Sequence, residues 1–161
     1  MIDIRTATAD DSGRVLSLLE EIMEHHGVAP PPRQRLLDTV TAILASPSHV
    51  LLVADDDGAV VGMCALIFSQ STWSASPVCE LQDVVVTQSH RRLEVGRGLL
   101  SAAEELARDR GCSRLFLLAE SWNFAAHSFY RSLGLAEKTC LYFERDLAGP
   151  DGAPPGAPDA R

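Results

Sequence analysis

The sequence predicts an α+β fold (α/β in a looser nomenclature) with a mixed, mostly antiparallel central sheet flanked by helices. Three observations predict it. Short, Val-rich apolar runs gather in the middle of the chain around an Asp-Gly turn, as hairpin-connected strands do. Segments with apolar residues at helical spacing lie on either side of them. Toward the C-terminal end strands and helices alternate, which calls for crossover connections. The resulting order is β-α-α-β-β-β-α-β-α-β.

Residues 2–7 (IDIRTA) alternate apolar and polar side chains and read as the first strand. Asp10, Asp11 and Ser12 are N-cap candidates for the helix that follows. That helix sets Val15, Leu18, Leu19 and Ile22 on one face and Glu20, Glu21 and Glu24 on the other, and ends near Gly27. After the break at Pro30 to Pro32, residues 33–45 form a second helix on Leu36, Val40, Ile43 and Leu44. Strands at 50–54 and 59–68 flank the hairpin turn 55–58 (DDDG). Residues 69–77 (SQSTWSASP) read as a polar loop and 78–87 as the next strand. A basic loop at 90–98 leads into a helix on Leu99, Ala103, Leu106 and Ala107, with Gly111 at its C-terminal cap. A strand at 114–119, a helix at about 123–133 capped by Gly134, and a final strand or strand pair at 135–147 complete the domain, residues 1–147. Residues 148–161 (AGPDGAPPGAPDAR) are almost all Gly, Ala, Pro and Asp, cannot build a core, and read as a flexible tail.

A formal net charge of −8 over 161 residues argues against a general nucleic-acid binder and is compatible with a cationic small substrate. No apolar run approaches the ~18–20 residues that would cross a membrane. The opening MIDIRTATADD is no signal peptide, so a cytoplasmic location is expected. Cys64, Cys79, Cys112 and Cys140 are far apart, without a C-x-x-C pair, and each lies in or at the edge of an apolar run; buried free thiols are expected. His25 and His26 are adjacent on a helix end and point in different directions, which suits a solvated terminus paired with the helix dipole better than a metal site.

Residues 80–111 (ELQDVVVTQSHRRLEVGRGLLSAAEELARDRG) carry the strongest functional signal: a strand, a loop with three arginines and two glycines, then a helix. A helix N-terminus offers unpaired N–H groups and a partial positive charge, and glycines let a ligand approach the backbone. The stretch is therefore a device for holding phosphate. The absence of a Walker lysine and the late position of the loop disfavour a nucleotide-binding regulatory domain.

With these residues the chain resembles the GNAT superfamily of N-acetyltransferases. IRTATADD is similar to the family's I-R-x-A-x-x-x-D opening, and DVVVTQSHRRLEVGRGLL to its R-x-x-G-x-G/A pyrophosphate motif. NFAAHSFYRSLGL is similar to N-x-x-A-x-x-x-Y-x-x-x-G-F, with Asn123, Ala126, Tyr130 and Gly134 in place; the hairpin with Gly62 in its second strand also fits. One position departs from the pattern: Glu94 stands where the first glycine of the pyrophosphate motif is usual. A carboxylate ~4 Å from a phosphate costs about 1 kcal/mol in water. The loop needs backbone N–H donors, however, and Glu94 still supplies one, with its side chain free to turn to solvent, to Arg91 or to Arg97.

The resemblance implies the transfer of an acetyl group from acetyl-CoA to a primary amine of a small molecule or peptide. It places acetyl-CoA, as cosubstrate, on Val84, Val85 and Val86, on Arg91, Arg92, Leu93, Glu94, Val95, Gly96 and Arg97, and on Asn123 and Tyr130. Tyr130 is implied as the acid that protonates the departing thiolate. Glu80 is the chosen base, on a separation from Arg91 like that of the glutamate in histone-type members. Gln82 stands where polyamine-type members often carry glutamate, and Asp83 lies on the opposite face unless a bulge turns the strand. An amine deprotonated through a water chain is the competing account, and a non-catalytic acyl-CoA-binding sensor or scaffold is the rival from another class. The end of the first helix, the second helix and Trp73 would border the acceptor. No metal, nucleic-acid or membrane partner is implied, and a homodimer is compatible with such folds.

Overall fold

The computed structural model describes residues 1–92, 94–145 and 147. The chain divides into two compact units, Met1–Leu117 and a second that begins at Leu118. The first unit holds strands β1 (Ile2–Thr6), β2 (His49–Asp56), β3 (Ala59–Ser71), β4 (Ser76–Val86) and β5 (Leu115–Phe116) with helices α1 (Ser12–His25), α2 (Arg33–Leu44) and α3 (Val95–Asp109). The second holds α4 (Phe124–Ser132). The strands make one sheet in the order β1-β2-β3-β4-β5, antiparallel throughout except for the β4–β5 pair. The mixed, mostly antiparallel α+β architecture is the expected one. No helix among the described residues is long and apolar enough to cross a membrane.

Both faces of the central strands are covered. In β2, Leu51 to Ala54 are all buried, as a strand packed on both sides requires. Leu51, Val53, Met63, Ala65 and Val85 join the apolar faces of α1 and α2 in one cluster. On α3, Val95, Leu99, Leu100, Ala103 and Ala107 are buried and the helix packs against β1 to β4. Gly111 ends α3 at φ 72°, a left-handed turn that lets Cys112 N–H bond the Ala107 carbonyl at 2.9 Å. The β2–β3 turn is Asp57-Gly58, both at positive φ, as the Asp-Gly signal predicts.

Arg5 ties the N-terminal elements together. Its Nη1 and Nη2 donate to the two carboxylate oxygens of Asp11 at 2.8 and 2.9 Å, and its Nε and Nη2 to Asp55 Oδ2 at 3.1 and 2.8 Å. Asp11 is the one buried charged residue among the described residues, and it also accepts the Thr8 N–H at 2.7 Å. Asp11 was expected to cap α1, yet its side chain makes no cap bond there; Arg5 and Thr8 consume its oxygens. Asp55 Oδ1 in turn accepts the Gly58 N–H at 2.6 Å, so one arginine organises β1, the entry to α1 and the β2–β3 turn.

Four sequence expectations fail here. Residues 69–77 are not a polar loop: β3 and β4 pair out to Ser71 and Ser76, leaving only residues 72–75 as a turn. Backbone ladders form regardless of side-chain polarity, so an exposed hairpin arm can be polar throughout. The strand expected at 114–119 shrinks to Leu115–Phe116, because β4 offers it only two partners, Cys79 and Glu80. No strand forms among the described residues of 135–147, and Leu141, Tyr142 and Phe143 are exposed. β-propensity without a neighbouring ladder does not hold a strand. For the same reason Cys140 is exposed, and Cys112 is only half-buried, while Cys64 and Cys79 are buried free thiols as expected. The tail expected at 148–161 lies outside the described residues.

The Arg5 guanidinium holds the Asp11 carboxyl down to about 2, below its ordinary 3.8. A group whose folded value is depressed stabilises the fold fully above its unfolded value, and that stability is lost as the pH falls through the folded value. Asp11→Asn should therefore cost about 2 kcal/mol at pH 7 in urea unfolding, and the deficit should close between about pH 4 and pH 2. A deficit of the same size at pH 2.5 would assign it to packing instead.

Candidate functional site

The site begins with an irregularity in β4. Met63 pairs with Val85 and Ala65 with Gln82, so Asp83 and Val84 together face Cys64 alone. This is a β-bulge, with Asp83 at a left-handed φ of 51°. Val85 turns into the core and is 6% exposed, while Val84 and Val86 are half-buried. On its other edge β4 is paired with β5 only at Cys79 and Glu80. From Leu81 to Val86 that edge has no strand partner among the described residues, and the Val86 carbonyl is taken by the Arg91 side chain. Such an edge can take an extended, amide-bearing ligand as though it were a strand.

Gly62 permits this arrangement. A Cβ there would lie 3.0 Å from the Val85 carbonyl, 3.3 Å from Val86 Cγ2 and 3.4 Å from Val95 Cγ1. The close approach brings β3, the end of β4 and the first residue of α3 onto one spot. Val95, 3% exposed, anchors the α3 N-terminus there.

Between β4 and α3 the chain makes a 3₁₀ turn, Gln88–His90, then turns through Arg92 (φ 65°) and Glu94 (φ 63°). Leu93 lies outside the described residues. Arg91 Nε donates to the Val86 carbonyl at 3.0 Å, fixing the strand–loop junction with one of its five donors. Glu94 occupies the glycine position of the motif in a glycine conformation, and its carboxylate turns to Arg97 Nε. That pairing answers where the side chain goes, and it also engages Arg97, one of the three expected phosphate contacts. The first N–H groups of α3 point into this loop; the helix bond ladder starts with Gly98 N–H on the Glu94 carbonyl at 2.9 Å.

Glu80 and Gln82 share a face. Their register partners, Ile67 and Ala65, put them on the side that α1 and α2 cover, and Gln82 Nε2 donates to Glu80 Oε1 at 2.8 Å. Glu80 is half-buried and Gln82 exposed. Sequence reasoning set Asp83 on the opposite face unless a bulge turned the strand, and the bulge is present. Protein atoms crowd the Asp83 carboxyl and push it above the ordinary carboxylate range, and the imidazole of His26, just past the end of α1, pulls it back in part. The side chain is nonetheless exposed, so the effect acts on a group that solvent reaches and not in a sealed interior. The signal was present as two consecutive polar residues, Gln82 and Asp83, in an otherwise apolar run. At the end of α1, Glu20, Glu24, Gly27, Val28, Ala29 and Pro30 line an open recess of about 460 Å³. Trp73, at the tip of the β3–β4 arm, is 94% exposed. Among the described residues no His, Cys, Asp and Glu group has metal-site geometry.

In the second unit, Asn123 Oδ1 accepts the Ala126 N–H at 3.1 Å and caps α4. The Tyr130 ring lies against Phe129, centroids 5.2 Å apart, and both are half-buried.

Residues 15–135 match the model of a family described as the Acetyltransferase (GNAT) family. A Bos taurus protein named thialysine N-epsilon-acetyltransferase is 30% identical over 172 residues, covering 91% of this chain and 96% of its own. A solved structure described as a putative acetyltransferase from Agrobacterium tumefaciens has a TM-score of 0.80 at 25% identity, covering 89% of this chain and 99% of its own. An aminoglycoside N-acetyltransferase solved in complex with CoA has a TM-score of 0.81 at 20% identity, covering 92% and 96%, and shows likeness of fold.

Glu94→Gly tests the loop. It removes a left-handed non-glycine residue and a carboxylate beside the expected phosphate position, each about 1 kcal/mol. Coenzyme A should bind about fivefold more tightly in calorimetric titration, with thermal stability unchanged or higher. Weaker binding would mean that the Glu94–Arg97 pair is itself needed to shape the loop.

Proposed function

The chain belongs to the Acetyltransferase (GNAT) family, and from that premise we propose its acceptor class and the division of labour among its site residues. The reaction is transfer of an acetyl group from acetyl-CoA to an amine nitrogen. A C–N bond forms, the thioester C–S bond breaks, the amine loses a proton and the departing thiolate gains one.

The acceptor is a small cationic amine, and the observation that carries this is Asp83. Asp83 holds an exposed carboxylate at a left-handed φ in the bulge, and the protein atoms around it disfavour its charged form. An incoming ammonium offsets this. The acidic recess at the end of α1, with Glu20 and Glu24, suits further positive charge on the same molecule. One relative is named for acetylating thialysine and one fold neighbour for acetylating an aminoglycoside, both amines.

In this reading the free edge of Val84, Val85 and Val86 holds the extended arm of acetyl-CoA. Arg91, Arg92 and the N–H groups of residues 93–97 receive its pyrophosphate; this set is Leu93, Glu94, Val95, Gly96 and Arg97. Asp83 holds the ammonium, and Glu80, oriented by Gln82, takes the proton by way of water before attack. Tyr130 protonates the thiolate, and Asn123 shapes the start of its helix. Those two roles rest on the N-x-x-A-x-x-x-Y-x-x-x-G pattern.

Thiol release from acetyl-CoA across a panel of mono-, di- and polycationic amines and neutral amines tests the acceptor. Cationic amines should react with kcat/KM at least about tenfold above neutral ones of similar size. Equal use of neutral amines would overturn the reading. Tyr130→Phe and Glu80→Gln should each lower kcat by about 10²-fold with coenzyme affinity within twofold. Asp83→Asn should instead raise the acceptor KM by about tenfold.

The same Asp83→Asn protein should be more stable at neutral pH. A folded value raised above the unfolded one means that the ionised carboxylate opposes folding, and the opposition disappears as the pH falls below the ordinary carboxylate range. A thermal midpoint that rises at pH 7 and matches the parent protein at pH 3.5 is the expected result; a drop at pH 7 would show that Asp83 is a structural anchor.

A further inference from the structure

His90 stands immediately before the three-arginine loop, and nothing in the reading above uses it. Its imidazole is 24% exposed and is held on both nitrogens. Nε2 lies 3.3 Å from Asp56 Oδ2, at the end of β2. Nδ1 lies 2.9 Å from Ser89 Oγ and 3.2 Å from Thr87 Oγ1. A carboxylate can only accept, so Nε2 carries the proton and donates to Asp56, and in the neutral ring Nδ1 accepts from a hydroxyl. Every polar atom of the ring is thereby satisfied across a sequence separation of 34 residues.

The backbone around it is also fixed. Thr87 N–H bonds the Val61 carbonyl and His90 N–H the Thr87 carbonyl, both at 2.9 Å. Arg91 Nε then holds the Val86 carbonyl at 3.0 Å. Just beyond come Arg92 and Glu94, both in left-handed conformations that non-glycine residues adopt at a cost. Strained residues persist only where their surroundings over-determine them. The stretch from Thr87 to Arg91 is that surrounding, and His90 links it through its side chain to another strand connection.

We propose that His90 is a positioning residue for the coenzyme loop: through Asp56 it moors the loop's first turn to the β2–β3 hairpin and so keeps the following backbone strained into its phosphate-receiving shape. The inference rests on the assignment of this loop to the pyrophosphate of acetyl-CoA. Without the mooring, Arg92 and Glu94 relax toward ordinary backbone angles and the loop loses that shape. The acceptor side of β4 is untouched.

The test is a set of variants, His90→Ala, His90→Gln, Asp56→Ala and the double Ala variant, with Arg91→Ala and Arg92→Ala as controls for the loop itself. Coenzyme Kd is measured by calorimetry and KM for each substrate by thiol release, with thermal midpoints recorded for all. His90→Ala and Asp56→Ala should each weaken coenzyme binding and raise its KM by about tenfold, while the acceptor KM and the kcat at saturating coenzyme stay within twofold. The double variant should be no worse than either single one. His90→Gln keeps a side-chain N–H donor within reach of Asp56 and should recover most of the affinity.

Additive losses, no recovery by Gln, or a fall in kcat with coenzyme KM unchanged would each overturn the proposal. If Arg91→Ala and Arg92→Ala leave coenzyme binding intact, the loop assignment itself has failed. If they abolish it while His90→Ala does not weaken it, the loop stands and only the mooring falls.

Discussion

β4 has to belong to the sheet on one edge and leave it on the other, and most of this structure follows from how it does both. Toward β3 it is hydrogen-bonded over nearly its whole length, from Ser76 to Val86. Toward β5 it is bonded at two residues and then stands alone. A regular strand continued at the same register would send Val85 to the wrong face, because a one-residue slip inverts every side chain. The extra residue at Asp83 and Val84 returns Val85 to Met63 and the core, and bends the strand away from its second neighbour. The gap is thus a consequence of a packing requirement on the opposite edge, and Gly62 lets the corrected strand and α3 close onto β3.

That solution stores cost at the site. Asp83, Arg92 and Glu94 hold left-handed angles, and the surroundings of Asp83 push its carboxyl above the ordinary range. The rest of the first unit supplies what offsets it. Two apolar layers cover the sheet, and the Arg5, Asp11 and Asp55 cluster locks β1, the start of α1 and the β2–β3 turn. The last of these lies next to Asp56, the residue that His90 reaches, so the stiff corner of the fold is the one to which the strained loop is tied. Stability and function are separated in space but joined through one hairpin.

What the sequence made legible was whatever local chemistry decides. The Asp57-Gly58 turn, the apolar face of α3 and the cap at Gly111 need only their own residues and neighbours. The I-R-x-A-x-x-x-D pattern was legible too, though not its reason: Arg5 and Asp11 are conspicuous because they bond one another, and not because Asp11 caps a helix. What stayed hidden depends on partners distant in sequence. A bulge is a mismatch between two strands, so Asp83 could not be placed from β4 alone. The length of β5 was set by where β4 turns away, and residues 135–147 have β-forming side chains but no ladder to join. The Tyr130 assignment remains a matter of pattern, whereas Glu94 passed from an apparent defect to an explained one once its φ and its Arg97 partner were known.

The distribution of charge about β4 explains why a chain of net charge −8 carries so basic a loop. Arg91, Arg92 and Arg97 follow the end of β4, and Glu80, Asp83, Glu20 and Glu24 gather along its middle and at the end of α1. At about 8 Å of screening length under physiological salt, each patch governs its own neighbourhood and little of the other's. On the proposed reading, a polyanionic coenzyme and a cationic amine would be sorted to different stretches of one strand, in one orientation, before either is held closely. Glu94 is consistent with that sorting because its charge is spent on Arg97 at the exposed rim, and the backbone N–H it leaves to the loop is indifferent to which side chain sits on it. The fold needs a left-handed residue at that point and a donor facing inward; it does not need a glycine, provided something else holds the turn in place.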